Sequence, residues 1–377
     1  MGLFKSTFLI SLSLIIFQMA WCAIWLNSAL KRTIKGMGLL VHKRNTVQQK
    51  IKTFRPETTT EVFTTISPTI IQSRKKKFRY LTQPIEPKHH GNINDTRCLK
   101  LKESTTVSLV NFVVSSAPNF FPRQIIRETS GSISFVNGLS IKHVFVVGKS
   151  TDENTNLKII NEAEEHGDVL FYDYPDNYLN LVYKTLALLQ WASENLSMQT
   201  IISKTDDDVA VDFFQLSRNL EEILDEVVQN VTASTDEHEK RKNIFENVPV
   251  ICGVTYKTGE RPLRDIHNKN YASIEEYAAS TYPTHCGGPM YVVPVTMASR
   301  IYGLTGDDKM LTNEDVWFTG VIRERIGKGD NNIVRHKYPF AQHYQTSETS
   351  FEDREWAIRN AYKSMIDGLK HYKIPYC

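Results

Sequence analysis

Cysteine is scarce, five in 377 residues, and none falls in a CxxC or Cys/His pattern, so there is no zinc site to read. No repeat period is visible, which excludes solenoids and propellers. Net charge is almost lacking too, at +3, and acidic residues are nearly missing from the first quarter. Met1 to Arg97 carries 16 basic and 4 acidic side chains, whereas the remaining 280 residues carry 29 and 38. The basic balance therefore belongs to the N-terminal quarter alone. The acidic remainder has no surplus charge for a phosphate backbone, which argues against nucleic acid as a partner. Global disorder is excluded as well, since 41% apolar and 10% aromatic residues suffice for a packed core.

Charge is absent altogether from Thr7 to Leu26, where TFLISLSLIIFQMAWCAIWL runs for twenty residues. At about 1.5 Å per helical residue this crosses a hydrocarbon core of about 30 Å. Trp21 and Trp25 stand towards one end, where indoles favour the headgroup region. A cleaved secretory signal is the alternative, although its apolar region is normally about 7 to 15 residues and ends in a small-residue cleavage site. Lys31, Arg32 and Lys35 outnumber Lys5 and oppose a cytoplasmic N-terminus. Three glycosylation sequons, at Asn94, Asn195 and Asn230, all follow the apolar segment and outweigh that asymmetry. The chain thus divides into a cytoplasmic tail (1–6), a transmembrane signal-anchor (7–26), a stem of low order (27–97) and a lumenal domain (98–377). Cys98, Cys252, Cys286 and Cys377 could form two disulfides, with three possible pairings.

Within the lumenal part, β-branched runs alternate with amphipathic ones. SLVNFVVSSAP, IKHVFVVG, GDVLFYDY, TIISKTDDDVAV and VPVICGVTY read as strands. A helix follows the first, with Ile125 and Ile126 inward, and a long apolar helix spans Leu179 to Leu196. In FFQLSRNLEEILDEVVQ, Phe213, Leu216, Leu220, Ile223, Leu224 and Val227 form a core-facing stripe. The alternation predicts an α/β domain with a mostly parallel sheet, whose ligands bind beyond the carboxyl ends of the strands.

One of those ends carries Asp206, Asp207 and Asp208, directly after Ile201 to Thr205. Three adjacent carboxylates repel one another and call for a cation. Strand alternation turns Asp206 and Asp208 to one side and Asp207 to the other. Two hard oxygen ligands on one side suit Mg²⁺ or Mn²⁺ with room for water and phosphates. The competing reading is a solvated acidic turn capping the next helix.

These residues sit in a series of motifs that resembles the beta-1,3-galactosyltransferase family, hexosyltransferases related to fringe. The series opens with VVSSAP and Arg123-Gln-Ile-Ile-Arg127-Glu-Thr129, with Ser130 where the family pattern has Trp. It continues through Gly167, Asp168, Asp173, Asp176, Tyr178, Asn180, Leu181, Lys184 and Thr185, then Lys204 to Asp208 as K-x-D-D-D. Tyr282-Pro283, Cys286-Gly287-Gly288 with Tyr291, and Glu314-Asp315-Val316 with Gly320 complete it. Six pieces in order, from Cys98 to about His343, carry the resemblance.

The resemblance implies the glycosyltransferase A fold, an α/β domain with a mostly parallel central sheet flanked by helices. It also implies a Mn²⁺-dependent transferase that inverts at the anomeric carbon, using a UDP-sugar as donor and a glycan on protein or lipid as acceptor. Galactose is favoured over an N-acetylhexosamine, and the acceptor atom is a 3-hydroxyl. Asp208 is similar to the family's metal ligand, and a later histidine completes such sites, His343 being preferred to His336. Asp206 and Asp207 are assigned with Ser115, Ser116, Arg123, Arg127 and Lys184 to the nucleotide side. Asp315 is the expected general base, with Glu314 positioning substrate or backbone. An N-cap role for Asp315 is compatible with this. The expected setting is the Golgi membrane, in single-pass type II orientation. The alternative is a non-catalytic lumenal chaperone or glycan-binding relative, although such a protein should have lost one of the two acidic motifs.

Overall fold

The computed structural model describes residues 77–84, 101, 106–231, 237–305, 310–344 and 350–377, all in the compact unit Ile71–Cys377. The expected signal-anchor, most of the stem and Cys98 lie outside the described residues. Among the described residues no helix is long and apolar enough to cross a membrane.

The first half contains β1 (Tyr80–Thr82), β2 (Val107–Val114), α1 (Phe120–Glu128), β3 (Phe135–Val136), β4 (Leu139–Lys149), α2 (Glu153–His166) and β5 (Val169–Pro175). Then come α3 (Leu181–Asn195), β6 (Thr200–Asp206), β7 (Val209–Val211), α4 (Phe213–Asn230) and α5 (Glu237–Asn247). The remainder is β8 (Val250–Cys252), β9 (Tyr256–Lys257), β10 (His285–Cys286), β11 (Met290–Pro294), α6 (Val295–Leu304), β12 (Ile333–Arg335), β13 (Ala341–His343) and α7 (Phe351–His371). A π-helical segment, Val316–Ile322, precedes β12. Helix ends follow local chemistry. Asp152 caps α2 by accepting from the Asn154 and Thr155 amides, and Gly167, at φ 70°, ends it in the left-handed region.

The main sheet has the order β1-β5-β4-β2-β6-β11-β8-β12, with β3 added to β4. Its centre, β5-β4-β2-β6, is parallel, as the alternating strand and helix pattern predicts. β8 and β12 run the same way, so the described sheet is mostly parallel as expected, with β1, β3 and β11 as its antiparallel members. β11 enters antiparallel to both β6 and β8, and β1 antiparallel to β5. β11 reads MYVVP, and its terminal proline masks it as a strand in the sequence.

Strand alternation divides the core into two faces. Val110, Phe112 and Val114 of β2, with Val144, Val146 and Leu170, pack beneath α3, α6 and the π-helical segment. Leu109, Ile141, Ile201 and Ile251 face the other way, against α4 and α7. Val113, Phe145 and Phe171 continue that second face beneath α1 and α2. The result is a three-layer sandwich in which α4 buries Phe213, Leu216 and Leu220 along its apolar stripe.

The folded sheet also begins earlier than Cys98. Residues 77–84, assigned by sequence to the stem, supply edge strand β1, and Phe78 is buried in the core with its amide donating to Gln190 Oε1 at 2.8 Å. The short segment is hidden among the basic residues of SRKKKFR. Cys252 and Cys286 form a disulfide, which settles one of the open pairings, and Cys377 is disulfide-bonded as well.

Candidate active site

The parallel arrangement brings the carboxyl ends of β2 and β6 to one edge of the sheet, with Val114 opposite Asp206. Ser115 and Ser116 therefore emerge beside the three aspartates. The aspartates do not continue the strand alternation. β6 ends at Asp206, the chain turns at Asp207 and Asp208, and the three carboxylates find three different partners.

Asp206 accepts from Lys204 Nζ at 2.7 Å. Asp207 Oδ2 accepts from Ser115 Oγ at 2.7 Å and from Asn119 Nδ2 at 2.9 Å. Burial pushes both carboxyls above the usual range, against the pull of these donors. Asp208 meets His343, whose Nε2 lies 3.3 Å from its Oδ2. The pairing of β7 with β13 causes this meeting, placing His343 opposite Val209, and the Tyr344 amide donates to the Asp208 carbonyl at 3.0 Å. The bond to Asp208 raises the His343 pKa. Asp208 Oδ1 is buried without a hydrogen-bond partner, an orphan oxygen of the kind a cation satisfies. His336 is engaged elsewhere, through its Nδ1 and the Cys252 carbonyl at 2.9 Å.

Arg123, Arg127 and Lys184 are enclosed. Arg123 is wholly buried; it pairs with Glu162 at 2.7 Å and donates through Nη1 to Ser115 Oγ and to the Ser116 carbonyl. Arg127 grips Asp168 through two bonds of 2.8 Å and also pairs with Glu162. Lys184 pairs with Asp176 at 2.7 Å and donates to the Ser115 carbonyl at 2.8 Å. Arg123 and Lys184 brace Ser115 and Ser116, and Arg127 shares Glu162 with Arg123. Their partners sit far away in sequence, on α2 and in the segment after β5, and no local spacing announces them.

Lys204 is the residue whose role the sequence left unassigned. Its buried ammonium donates to Asp206 Oδ1 at 2.7 Å and to the Gly288 carbonyl at 2.6 Å, and pairs with Glu314 Oε1 at 2.8 Å. Burial opposes its charge, but Asp206 and Glu314 outweigh that and hold its pKa above the usual lysine range. Glu314 is only 2% exposed and also accepts from Thr185 Oγ1 and Tyr291 OH, each at 3.2 Å. Burial pushes Glu314 upward, against the opposite pull of Lys204. Asp315 next to it is partly exposed and accepts from the Val316 amide at 2.9 Å, the N-cap role expected for it. Its other oxygen lies beside Gly288, where a methyl would stand 3.5 Å away.

The loop that delivers Gly288 is held by covalent and steric means. The Cys252–Cys286 disulfide ties it to β8, and a Cβ on Gly287 would stand 1.9 Å from Thr255 Oγ1. Only glycine fits there.

The chain is similar to known proteins over most of this region. Residues 122–331, more than half of the chain, match the family model described as Galactosyltransferase. Beta-1,3-galactosyltransferase 1 of Mus musculus is 27% identical over 248 residues, 65% of this chain and 68% of that protein. Beta-1,3-galactosyltransferase bre-2 of Caenorhabditis elegans is 27% identical over 278 residues, 71% of each chain. Among solved structures, the apo WbbM bifunctional glycosyltransferase shares 11% identity, covers 68% of this chain and 45% of its own, and has a TM-score of 0.29, too slight to argue from.

Proposed function

Because this chain belongs to the galactosyltransferase family and is a glycosyltransferase, we propose that it transfers galactose, or an N-acetylhexosamine, from a UDP-sugar to the 3-hydroxyl of a glycan acceptor. The acceptor is carried on protein or lipid. The observation that supports this best is the Lys204 ammonium, which joins Asp206 of the triple-aspartate strand end to Glu314, the neighbour of Asp315. One bridged unit thereby combines a place for diphosphate charge with a base for an incoming hydroxyl.

Asp208 and His343 are the residues that would hold Mn²⁺, with Mg²⁺ as the alternative. The orphan Asp208 Oδ1 and the carboxylate–imidazole pair fit such an ion. Among the described residues no cluster of three or more such side chains is preformed, so further positions fall to water and substrate phosphate. A divalent cation bound there would neutralise the departing diphosphate. Asp315 takes the proton of the acceptor hydroxyl as that oxygen bonds to the anomeric carbon and the bond to UDP breaks. A single displacement inverts the configuration. The Val316 amide holds one Asp315 oxygen and leaves the other for the proton. Ser115, Ser116, Asp206 and Asp207 line the nucleotide side, with Arg123 and Lys184 holding the Ser115–Ser116 backbone and Arg127 supporting Arg123 through Glu162. The same proposal sets the domain in the Golgi lumen, behind the apolar segment 7–26 as a type II anchor.

The test uses the full chain, made in a secretory host and purified. UDP release is followed from UDP-Gal, UDP-GalNAc and UDP-GlcNAc across a panel of sugar acceptors, with Mn²⁺ or with EDTA. The expected result is metal-dependent, acceptor-stimulated release, fastest from UDP-Gal and lowered at least about 100-fold by Asp315→Asn. A folded protein that releases no UDP and binds neither UDP nor Mn²⁺ would overturn the reading in favour of a non-catalytic chaperone or glycan-binding role.

A further inference from the structure

Between β5 and α3 the chain makes a single 3₁₀ turn, Tyr178–Asn180, at the same edge of the sheet as Asp206. The turn is fixed by its own side chains: Asn177 Oδ1 accepts from the Asn180 amide, and Asn180 Nδ2 donates to the Pro175 carbonyl, both at 3.0 Å. Tyr178, at its head, is 54% exposed. Its hydroxyl is nevertheless held, donating to Asn270 Oδ1 at 3.2 Å. Asn270 belongs to the long loop between β9 and β10, and its carbonyl accepts from Asn313 Nδ2 at 3.2 Å. Asn313 stands two residues before Asp315. The loop is itself rigid, since the Arg264 guanidinium donates to the carbonyls of Ala272, Ser273, Tyr277 and Ala279. Glu276 also accepts from the Thr312 amide at 2.6 Å.

An aromatic ring is thus locked at one end, largely bare, and tied through two asparagines to the segment that carries the base. Two hydrogen bonds, Tyr178 to Asn270 and Asn313 to Asn270, link the ring to the segment that carries Asp315. Nothing in the fold explains a fixed, solvent-facing phenol at this point. A pyranose presents a face of weakly positive C–H groups, the complement of the negative face of an aromatic ring. We propose that Tyr178 is the platform on which the acceptor sugar stacks, and that Asn270 fixes the angle of that platform. The nucleotide side is built around Ser115 and Asp207, leaving Tyr178 and the β9–β10 loop to the acceptor. This rests on the transferase reading above and adds a specificity-determining residue to it.

Kinetics of the full chain test it, with methyl N-acetyl-β-glucosaminide and methyl β-galactoside as acceptor probes. Tyr178→Ala should raise the KM for the better acceptor about tenfold, the worth of one aromatic stack, with little change in donor KM. Tyr178→Phe keeps the stack and should lie within about threefold of wild type, and Asn270→Ala should fall between the two. An active wild type whose acceptor KM is unmoved by Tyr178→Ala would overturn this proposal alone. So would a rise in donor KM equal to that for acceptor. A wild type that transfers to no acceptor would overturn the transferase reading, and this proposal with it.

Discussion

Replacing Lys204 by methionine keeps the unbranched stem of the side chain, one atom shorter, and deletes one charge from the centre of the site. Asp206, Glu314 and the Gly288 carbonyl all lose their cation, but not equally. The Asp206 side chain is 30% exposed and can rehydrate, whereas the Glu314 side chain, at 2%, cannot. Most of the loss therefore falls on Glu314, left ionised or forced to bind a proton among apolar neighbours. Breaking a buried pair by removing one partner costs roughly 3 to 5 kcal/mol. The unpaired Gly288 carbonyl adds about 1 kcal/mol. We expect Lys204→Met to lose about 5 kcal/mol, read from the midpoint of urea unfolding with the disulfides intact. A second substitution, Glu314→Gln, removes the stranded charge while still accepting from Thr185 and Tyr291, and should recover at least half of the loss. Activity should not return with stability, because a neutral amide at position 314 no longer anchors the strand end to the Asp315 segment. A loss below about 1 kcal/mol would refute the reasoning. So would a double variant no more stable than the single, since the cost would then lie in packing around residue 204.

Three further outcomes follow from the geometry. Asp208→Asn and His343→Ala should each weaken Mn²⁺ binding, measured by titration in the presence of UDP, by at least about 100-fold, the upper end of what losing an outer-shell partner costs. His336→Ala, at the Cys252 carbonyl, should leave it unchanged. Gly287→Ala should destabilise by roughly 1 to 3 kcal/mol through its contact with Thr255 Oγ1, and Thr255→Ala in the same chain should relieve it, as thermal unfolding would reveal. His143, between Asn111 Nδ2 and the Ile133 carbonyl, has its pKa pushed down by burial to about 4 from 6.5. Between those values the unfolded chain binds a proton that the folded chain refuses. Its contribution is therefore intact above pH 6.5 and is lost as pH falls towards 4, by at most roughly 3 kcal/mol because part of the residue remains exposed. His143→Gln should flatten that part of a stability–pH curve; an identical slope in wild type and variant would count against it.

The parts legible in the sequence were those whose information is local. β2, β4, β5 and β6 are short apolar runs rich in β-branched residues and buried along most of their length, and α4 shows its buried stripe in its spacing. The triple aspartate marks its own strand end. What could not be read is non-local. β11 ends in proline and enters against the prevailing direction, so its place between β6 and β8 was hidden. β1 lies among basic residues that mimic a tether. The chemistry of Arg123 and Lys184 suits a diphosphate, but Glu162 and Asp176 claim them, and those pairings arise only when α2 and the segment after β5 pack against α1 and α3. His343 reached Asp208 through the register of two three-residue strands, which no spacing within IVRHKYPFAQHYQ encodes.

The Cys252–Cys286 bond closes a 34-residue excursion at its base, where β9 pairs with β10, and the chain returns directly into Gly287 and Gly288. Both ends of the excursion are thereby clamped to the strand that borders the chemistry, and Arg264 braces the chain between them. Asn270, Glu276 and Tyr282 of this loop hold Thr312 and Asn313, just before Glu314 and Asp315, so changes elsewhere between residues 258 and 282 leave those contacts in place. The loop is in effect a cassette, exchangeable around those fixed positions. Grafting another transferase's loop between the two cysteines, with Arg264, Asn270, Glu276 and Tyr282 kept, is the natural way to give this catalytic centre a new substrate.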